Sequence, residues 1–520
     1  MTEKVNFKWP DNKISPKTFT SLLLDTFNRM GPKRALTFVR EGRIETRLSY
    51  HDLNQASDCL AGDLSEMGVS PGDCVLLFLP KCVYWVVAHL AVLKIGAISI
   101  PLNPAFKKRE LEFFIGETRP ALAVVGMEQK ELTADIAAGL PLLSFDHKKP
   151  FDMIDMEKIR YGSDTISKQK MRDPGMIIFT SGTTGQPKGA VLTQGNLSHD
   201  AQNIIGIWSI NQADVLCHAL PLFHTHGLCF ALHTIFLAGA SAVMLDSFRP
   251  ETIFDVLSEK KSELACTVFM AVPSMYSRLL DRVPESRPGF AHIRLLTSGS
   301  APLLVQDFGR IRAVFGQEPV EREGMSETGM NFSNPVHGRR KPGSIGLPLP
   351  GLDVRVVDPE KQADLSTGLV GEIWLKGPGI TPGYWKRPEE TEQAFVDGWF
   401  RTGDLGCRDE DGYYFLTDRI KHIIISGGEN VSPKEIEQVV NDLEQVLESS
   451  VVGLPDPVWG EKIVAAVVVH PESDLTSEIV KAHCKENLLA WKCPKELLFV
   501  KELPKNQMGK VLKEKVKELF

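Results

Sequence analysis

Short apolar runs, each fenced by Gly, Pro, Asp or Asn, recur through the chain with segments of helical length between them. Cys74–Leu79, Ala97–Leu102, Leu122–Val125, Met176–Phe179, Val243–Leu245 and Leu295–Thr297 are such runs, and Leu53–Met67 and Glu251–Lys260 are two of the intervening segments. Runs this short and this apolar suit strands covered on both faces, which need helical crossovers. The pattern predicts an α/β chain with largely parallel sheets. Past about residue 340 the texture changes, and Val354–Asp358, Gly371–Lys376 and Gly412–Thr417 read as strands with little helix between them. From Lys421 a smaller mixed unit follows, with strands near Ile423–Ile425, Ser450–Gly453 and Ile463–His470 and helices near Pro433–Asn441 and Ser477–Asn487. The expected organisation is a large multi-layer α/β N-terminal domain over 1–420, with a β-rich subdomain at about 340–420, and a small mobile α+β C-terminal domain over 421–520. The hinge is expected around Asp418–Lys421.

Composition narrows the function. The 520 residues carry 59 basic and 66 acidic side chains, a net charge of −7, which argues against a chain whose task is to grip nucleic acid. With 43% hydrophobic and 24% charged residues the chain is neither disordered nor fibrous. Nine cysteines, scattered from Cys59 to Cys493 without a CxxC pair, suggest no zinc knuckle and fit a reducing compartment. Met1–Asn12 lacks an apolar core segment, so no secretory signal is expected and the location is read as cytoplasmic. The apolar stretch Val83–Leu102 contains His89, Lys94 and Gly96, and reads as a buried helix and a strand rather than a membrane span.

The most informative segment is the decapeptide Thr180-Ser181-Gly182-Thr183-Thr184-Gly185-Gln186-Pro187-Lys188-Gly189, which follows an apolar strand. Its glycines let backbone N–H groups approach an anion, while four hydroxyls and Lys188 add donors and positive charge, as a polyphosphate requires. It is not a Walker A loop, because Pro187 stands where the second Gly belongs and Gly189 follows the lysine. Further candidates lie downstream. Glu327, in Glu323-Gly324-Met325-Ser326-Glu327-Thr328, is an acid on a turn. Asp404, in Trp399-Phe-Arg-Thr-Gly-Asp404, reads as an Asp in a Gly turn leading to the next strand. Pro221-Leu-Phe-His224-Thr-His226-Gly227 lacks the spacing of a metal site. Gly299, Ser300 and Ala301 form a small-residue turn after the Leu295 strand, and Arg294 before it suits either a second carboxylate or a structural ion pair.

The decapeptide resembles the phosphate signature of the acyl-adenylate-forming family, which comprises acyl-CoA synthetases, adenylation domains and beetle luciferases. The other motifs follow in the family's order, most like AMP-forming acid–CoA ligases, malonyl-CoA synthetases among them. The resemblance implies ATP, Mg²⁺ and coenzyme A as cofactors and co-substrates and a small carboxylic acid as partner. Thr180, Ser181, Gly182, Thr183, Thr184, Gly185 and Lys188 would take the phosphates, Glu327 the metal, and Asp404 and Arg419 the ribose. Ser300, Ala301, Glu323, Gly324, Met325 and Ser326 would line the adenylate, and His224, Gly299, Ser300 and Met325 the acyl pocket. Lys421 would be the pivot, Ser426, Gly427, Gly428 and Glu429 the loop for the thiol step, and Lys510 the lysine that bridges carboxylate and forming acyl phosphate. Glu323 departs from the family, which commonly has an aromatic there beside the adenine, and His422 replaces a common acidic residue. The implied acid is short, aromatic, alicyclic or medium-chain, or malonate. Transfer to a carrier-protein thiol, a nucleotide switch or kinase, and a non-catalytic binding module are the competing readings.

Overall fold

The computed structural model describes residues 7–10, 13–152, 167–180, 186–258, 264–284, 289–426, 429–457, 459–506 and 509–520. Ser181, Gly182, Thr183, Thr184 and Gly185 of the glycine loop, and Gly427 and Gly428, lie outside the described residues, as does the side chain of Lys421.

Two large sheets dominate the chain up to residue 348. One has six strands in the order Leu142–Phe145, Leu122–Gly126, Cys74–Phe78, Ile98–Pro101, Pro174–Thr180 and Lys188–Thr193. All neighbours are parallel except the last pair, which is antiparallel. The glycine loop therefore connects two hydrogen-bonded antiparallel strands, with Thr180 opposite Lys188 across the pair. The second sheet has nine strands. The parallel run Val320–Met325, Leu295–Ser298, Val268–Ala271, Val215–His218, Ser241–Leu245 and Arg34–Arg40 forms its centre. Gly329–Ser333 closes one side of that run antiparallel to Val320–Met325.

The helix Val83–Ile95 is buried along its whole length, so it needs no polar face. Its one ammonium, Lys94, ends 2.7 Å from Asp58, which satisfies a charge that could not otherwise be buried. Among the described residues no helix is long and apolar enough to cross a membrane.

The β-rich part is a five-stranded antiparallel sheet of Asp353–Val357, Gly371–Lys376, Trp399–Arg408, Phe395–Val396 and Tyr414–Arg419. The last strand begins at Tyr414 and not at Gly412, because Gly412 turns the chain at φ +86°. The ribose motif is itself part of the strand Trp399–Arg408 and not a turn before one. The C-terminal sheet orders Glu429–Val431, Ile424–Ser426, Gly460–Val469 and Val446–Asp456, with Glu496–Phe499 parallel to Gly460–Val469. Ile436, Val440, Val451, Ile463, Val480 and Cys484 give this unit its own apolar core.

The chain also forms a π-helix, His226–His233, with Gly227 in its first turn. A Cβ on Gly227 would stand 2.0 Å from the Pro221 carbonyl oxygen, so only glycine fits. Gly227→Ala is expected to cost about 2 kcal/mol by overpacking. A lower urea midpoint with an unchanged slope checks this.

Candidate active site

Two candidate residues meet past the ends of strands in the six- and nine-stranded sheets. Thr180 ends one strand, and its hydroxyl donates to Glu327 Oε1 at 3.3 Å. Tyr384 donates its hydroxyl to the same oxygen at 3.3 Å, and Lys188 Nζ lies 5.4 Å from the centre of the Tyr384 ring. Burial, reinforced by the charge of Glu327, pushes the Tyr384 phenol well above its ordinary pKa, so it stays a donor. Tyr384 escaped the sequence reading, because a Gly-Tyr-Trp string carries no signal of its own. Glu327 is buried, and two hydroxyls converge on one of its oxygens while the carboxylate retains lone pairs for a cation. That donor fits Mg²⁺, which takes one protein carboxylate with phosphates and water and supplies neutralising charge at a phosphate.

The ribose motif faces the same space. Asp404 pairs in register with Arg419 on the neighbouring strand, and Arg419 Nε lies 2.6 Å from Asp404 Oδ1. Burial raises the Asp404 pKa, and the charges of Arg419 and Lys510 pull it back. Lys510 is thus brought within electrostatic reach of Asp404 although 106 residues separate them in the chain. Gly509, at φ +74°, abuts Ser274 so closely that a Cβ would meet its Oγ at 2.0 Å. Position 323 holds a half-buried carboxyl that accepts from Asn331 Nδ2 at 3.1 Å. Burial, then repulsion from Asp404, pushes the Glu323 pKa up to about 7. His422 Nδ1 lies 3.4 Å from Asp418 Oδ1, an ion pair when the ring is protonated. Ser426 and Glu429 pair with each other in the small sheet.

The acyl side is built from the turn after Leu295–Ser298. Ser300 takes a left-handed conformation, φ +72°, and its Oγ meets His226 Nδ1 at 3.1 Å. His226 Nε2 is buried without a hydrogen-bond partner, and burial followed by the charge of Arg322 holds the ring neutral. The pKa of His224, packed beside Phe223 at 4.7 Å between ring centres, is lowered by burial to about 4. Gly324 must be glycine, since a Cβ there would stand 2.6 Å from the Gly329 carbonyl oxygen. Met325 ends its strand, with Ser326 directly after it, and Ala301 follows Ser300 in the turn.

Arg294 does not reach this pocket. Its Nε donates to Asp214 at 2.7 Å and its Nη1 to the Trp208 carbonyl at 3.0 Å, so its role is structural. The arginine left open near this turn is Arg322, which the sequence reading missed. It is 3% exposed, and Nε, Nη1 and Nη2 all lack a hydrogen-bond partner. Its Cζ lies 5.0 Å from the Phe230 ring centre and against Gly299, where a Cβ would come within 2.6 Å. Burial lowers its pKa to about 10, so the guanidinium is charged at neutral pH. The available signal was an arginine inside the strand Val320–Met325, directly before the metal-carboxylate motif.

The comparisons agree with this geometry. Residues 25–385 match the AMP-binding enzyme family, and residues 435–510 match the AMP-binding enzyme C-terminal domain. The chain belongs to the AMP-binding enzyme family and is an AMP-forming acid–CoA ligase that uses ATP, Mg²⁺ and coenzyme A. It is 34% identical over 511 residues to the mitochondrial malonate–CoA ligase of Bos taurus, covering 91% of this chain and 85% of that one. It is 32% identical to an oxalate–CoA ligase of Arabidopsis thaliana, covering 97% and 98%. The ATP-bound crystal structure of MatB from Rhodopseudomonas palustris superposes with a TM-score of 0.91 at 35% identity, covering 97% of this chain and 99% of that one.

Tyr384→Phe removes one of two hydroxyl donors from Glu327 Oε1. The expected loss in kcat/KM for MgATP is about five-fold, the equivalent of about 1 kcal/mol. Steady-state kinetics at saturating acid measures it.

Proposed function

We propose that this chain activates a short dicarboxylic acid, malonate being the best fit, and that Arg322 holds the carboxylate that does not react. The observation that carries the reading is the buried guanidinium without a partner. Leaving such a group unsatisfied is costly, and a planar carboxylate offers it two parallel hydrogen bonds. The relatives named for malonate and oxalate support an acid of this size.

In this reading one carboxylate sits on Arg322 and the other faces the nucleotide. Its oxygen attacks the α-phosphorus of ATP, a P–O bond forms, and the bond to pyrophosphate breaks. Lys188 and the hydroxyl of Thr180 hold the phosphates, with Ser181, Gly182, Thr183, Thr184 and Gly185 as the rest of the cradle. Asp404 and Arg419 hold the ribose, and Glu327 holds Mg²⁺. Ser300, Ala301, Gly324, Met325 and Ser326 form the walls, and His224 shuts water from the acyl side. Lys510 follows the charge as it moves from the carboxylate to the leaving group. The thiol sulfur of coenzyme A then attacks the acyl carbon, and AMP leaves. The chain divides at 420/421, and the small domain turns about Lys421 to exchange Lys510 for Ser426, Gly427, Gly428 and Glu429. A separate core in that unit supports a rigid-body turn. Nine free cysteines fit a reducing compartment, the cytoplasm in this reading.

Arg322→Met is expected to lower kcat/KM for malonate about 100-fold, a loss of about 2.7 kcal/mol, and to leave propionate or benzoate unchanged or improved. Pyrophosphate release across a panel of acids reads this out, and an equal loss for every acid overturns the proposal. Lys510→Ala is expected to abolish malonyl-AMP formation but spare thioester formation from supplied malonyl-AMP. Parallel loss of both steps counts against the assigned role.

A further inference from the structure

The helix Pro433–Asn441 of the small unit begins after Ser432, a residue type that ordinarily caps its own helix, yet the Ser432 side chain makes no such bond. Its hydroxyl donates instead to Asp418 Oδ2 at 3.4 Å. The same oxygen accepts the Lys434 N–H, one of the first-turn amides that a helix leaves open, at 3.2 Å. Asp418 lies 16 residues before Lys434, in the strand Tyr414–Arg419 of the antiparallel sheet. Its side chain is 6% exposed, and its other oxygen accepts the Arg419 N–H at 2.7 Å. The helix is therefore capped from across the hinge, and the helix dipole favours a carboxylate at that end. His422 adds Nδ1 at 3.4 Å from Asp418 Oδ1. The Lys434 side chain makes a second tie to the same strand, donating Nζ to the Leu416 carbonyl.

Resting on the reading of a turn about Lys421 above, we infer that Asp418 is a positioning residue for the adenylation step: it caps the small unit's leading helix while that unit holds Lys510 toward Asp404, and lets go when the unit turns. The helix packs Ile436 and Val440 into the unit's own core, so what fixes its first turn fixes the unit. In this orientation Gly509 abuts Ser274 and the charge of Lys510 reaches Asp404. Asp418 precedes the pivot and stays with the large domain, whereas Ser432 and Lys434 follow it and move. A turn must therefore part them. The freed Ser432 hydroxyl is then able to cap its own helix, which keeps the released state within reach.

The test compares the two half-reactions in single turnovers of the full-length enzyme, with malonate or whichever acid of the panel releases pyrophosphate fastest. Adenylation is read as pyrophosphate release from MgATP without coenzyme A. The second step is read as thioester formed from supplied acyl-AMP and coenzyme A. Asp418→Ala is expected to lower the ratio of the first rate to the second about five-fold, the population shift that a lost helix cap gives. Asp418→Asn keeps an acceptor for the Lys434 N–H and is expected to restore most of that ratio. Lys434→Met cuts the tie to Leu416 while leaving Asp418 in place. It is expected to move the ratio the same way, and it carries the test if Asp418→Ala does not fold. A merely structural role would slow both half-reactions alike, and an unchanged ratio in these variants overturns the inference. Lys421→Pro stiffens the pivot and separates this inference from the reading beneath it. Loss of the second step in that variant leaves the turn standing whatever Asp418 does, whereas a second step untouched by it removes the turn and the inference together.

Discussion

A lone buried cation is the constraint around which this molecule is arranged. A guanidinium removed from water loses several kcal/mol of hydration, and only hydrogen bonds or counter-charges restore it. Arg322 has counter-charges from Glu323 and Asp200 and a π face at Phe230, but no hydrogen bond. The neighbourhood is shaped to permit this. Gly299 leaves room for the planar group. The fold thus holds open an unmet hydrogen-bonding demand, the one that the proposed dicarboxylate reading fills.

The rest of the site is a matter of convergence. Thr180 meets Glu327, Asp404 pairs with Arg419, and Lys510 acts electrostatically on Asp404, so three sheets and the small C-terminal unit contribute to one set of interactions. Each sheet contributes a different chemistry. The six-stranded sheet brings Thr180 and Lys188, the nine-stranded sheet brings Arg322, Glu323 and, just past its strand, Glu327, and the antiparallel sheet brings Asp404 and Arg419. Lys510 comes from the unit with its own core.

Most of the architecture was legible in the residues. The helices Pro433–Asn441 and Ser477–Asn487 fall where their apolar spacing placed them, and the strand Gly371–Lys376 matches residue for residue. Long periodic segments and runs fenced by Gly and Pro state their own ends. The ribose motif was harder to place, because Gly403 suggests a turn while the pairing of Trp399–Arg408 with two neighbours keeps it in a strand. The candidate site was legible wherever a motif announced it. It was not legible where function depends on what a side chain lacks. Arg294 and Arg322 look alike in the sequence, and only tertiary packing gives one of them Asp214 and leaves the other open. Tyr384 likewise acquires its role only from the hydroxyl's distance to Glu327.

Ser300 carries an evolutionary consequence. A non-glycine residue at φ +72° stores about 1 kcal/mol or more of backbone strain, which glycine would relieve. Selection for robustness alone would therefore erode this serine. Its hydroxyl is what hydrogen-bonds the buried His226 ring. Lineages of this chain face a standing trade between a more relaxed turn and the bond that orders the imidazole.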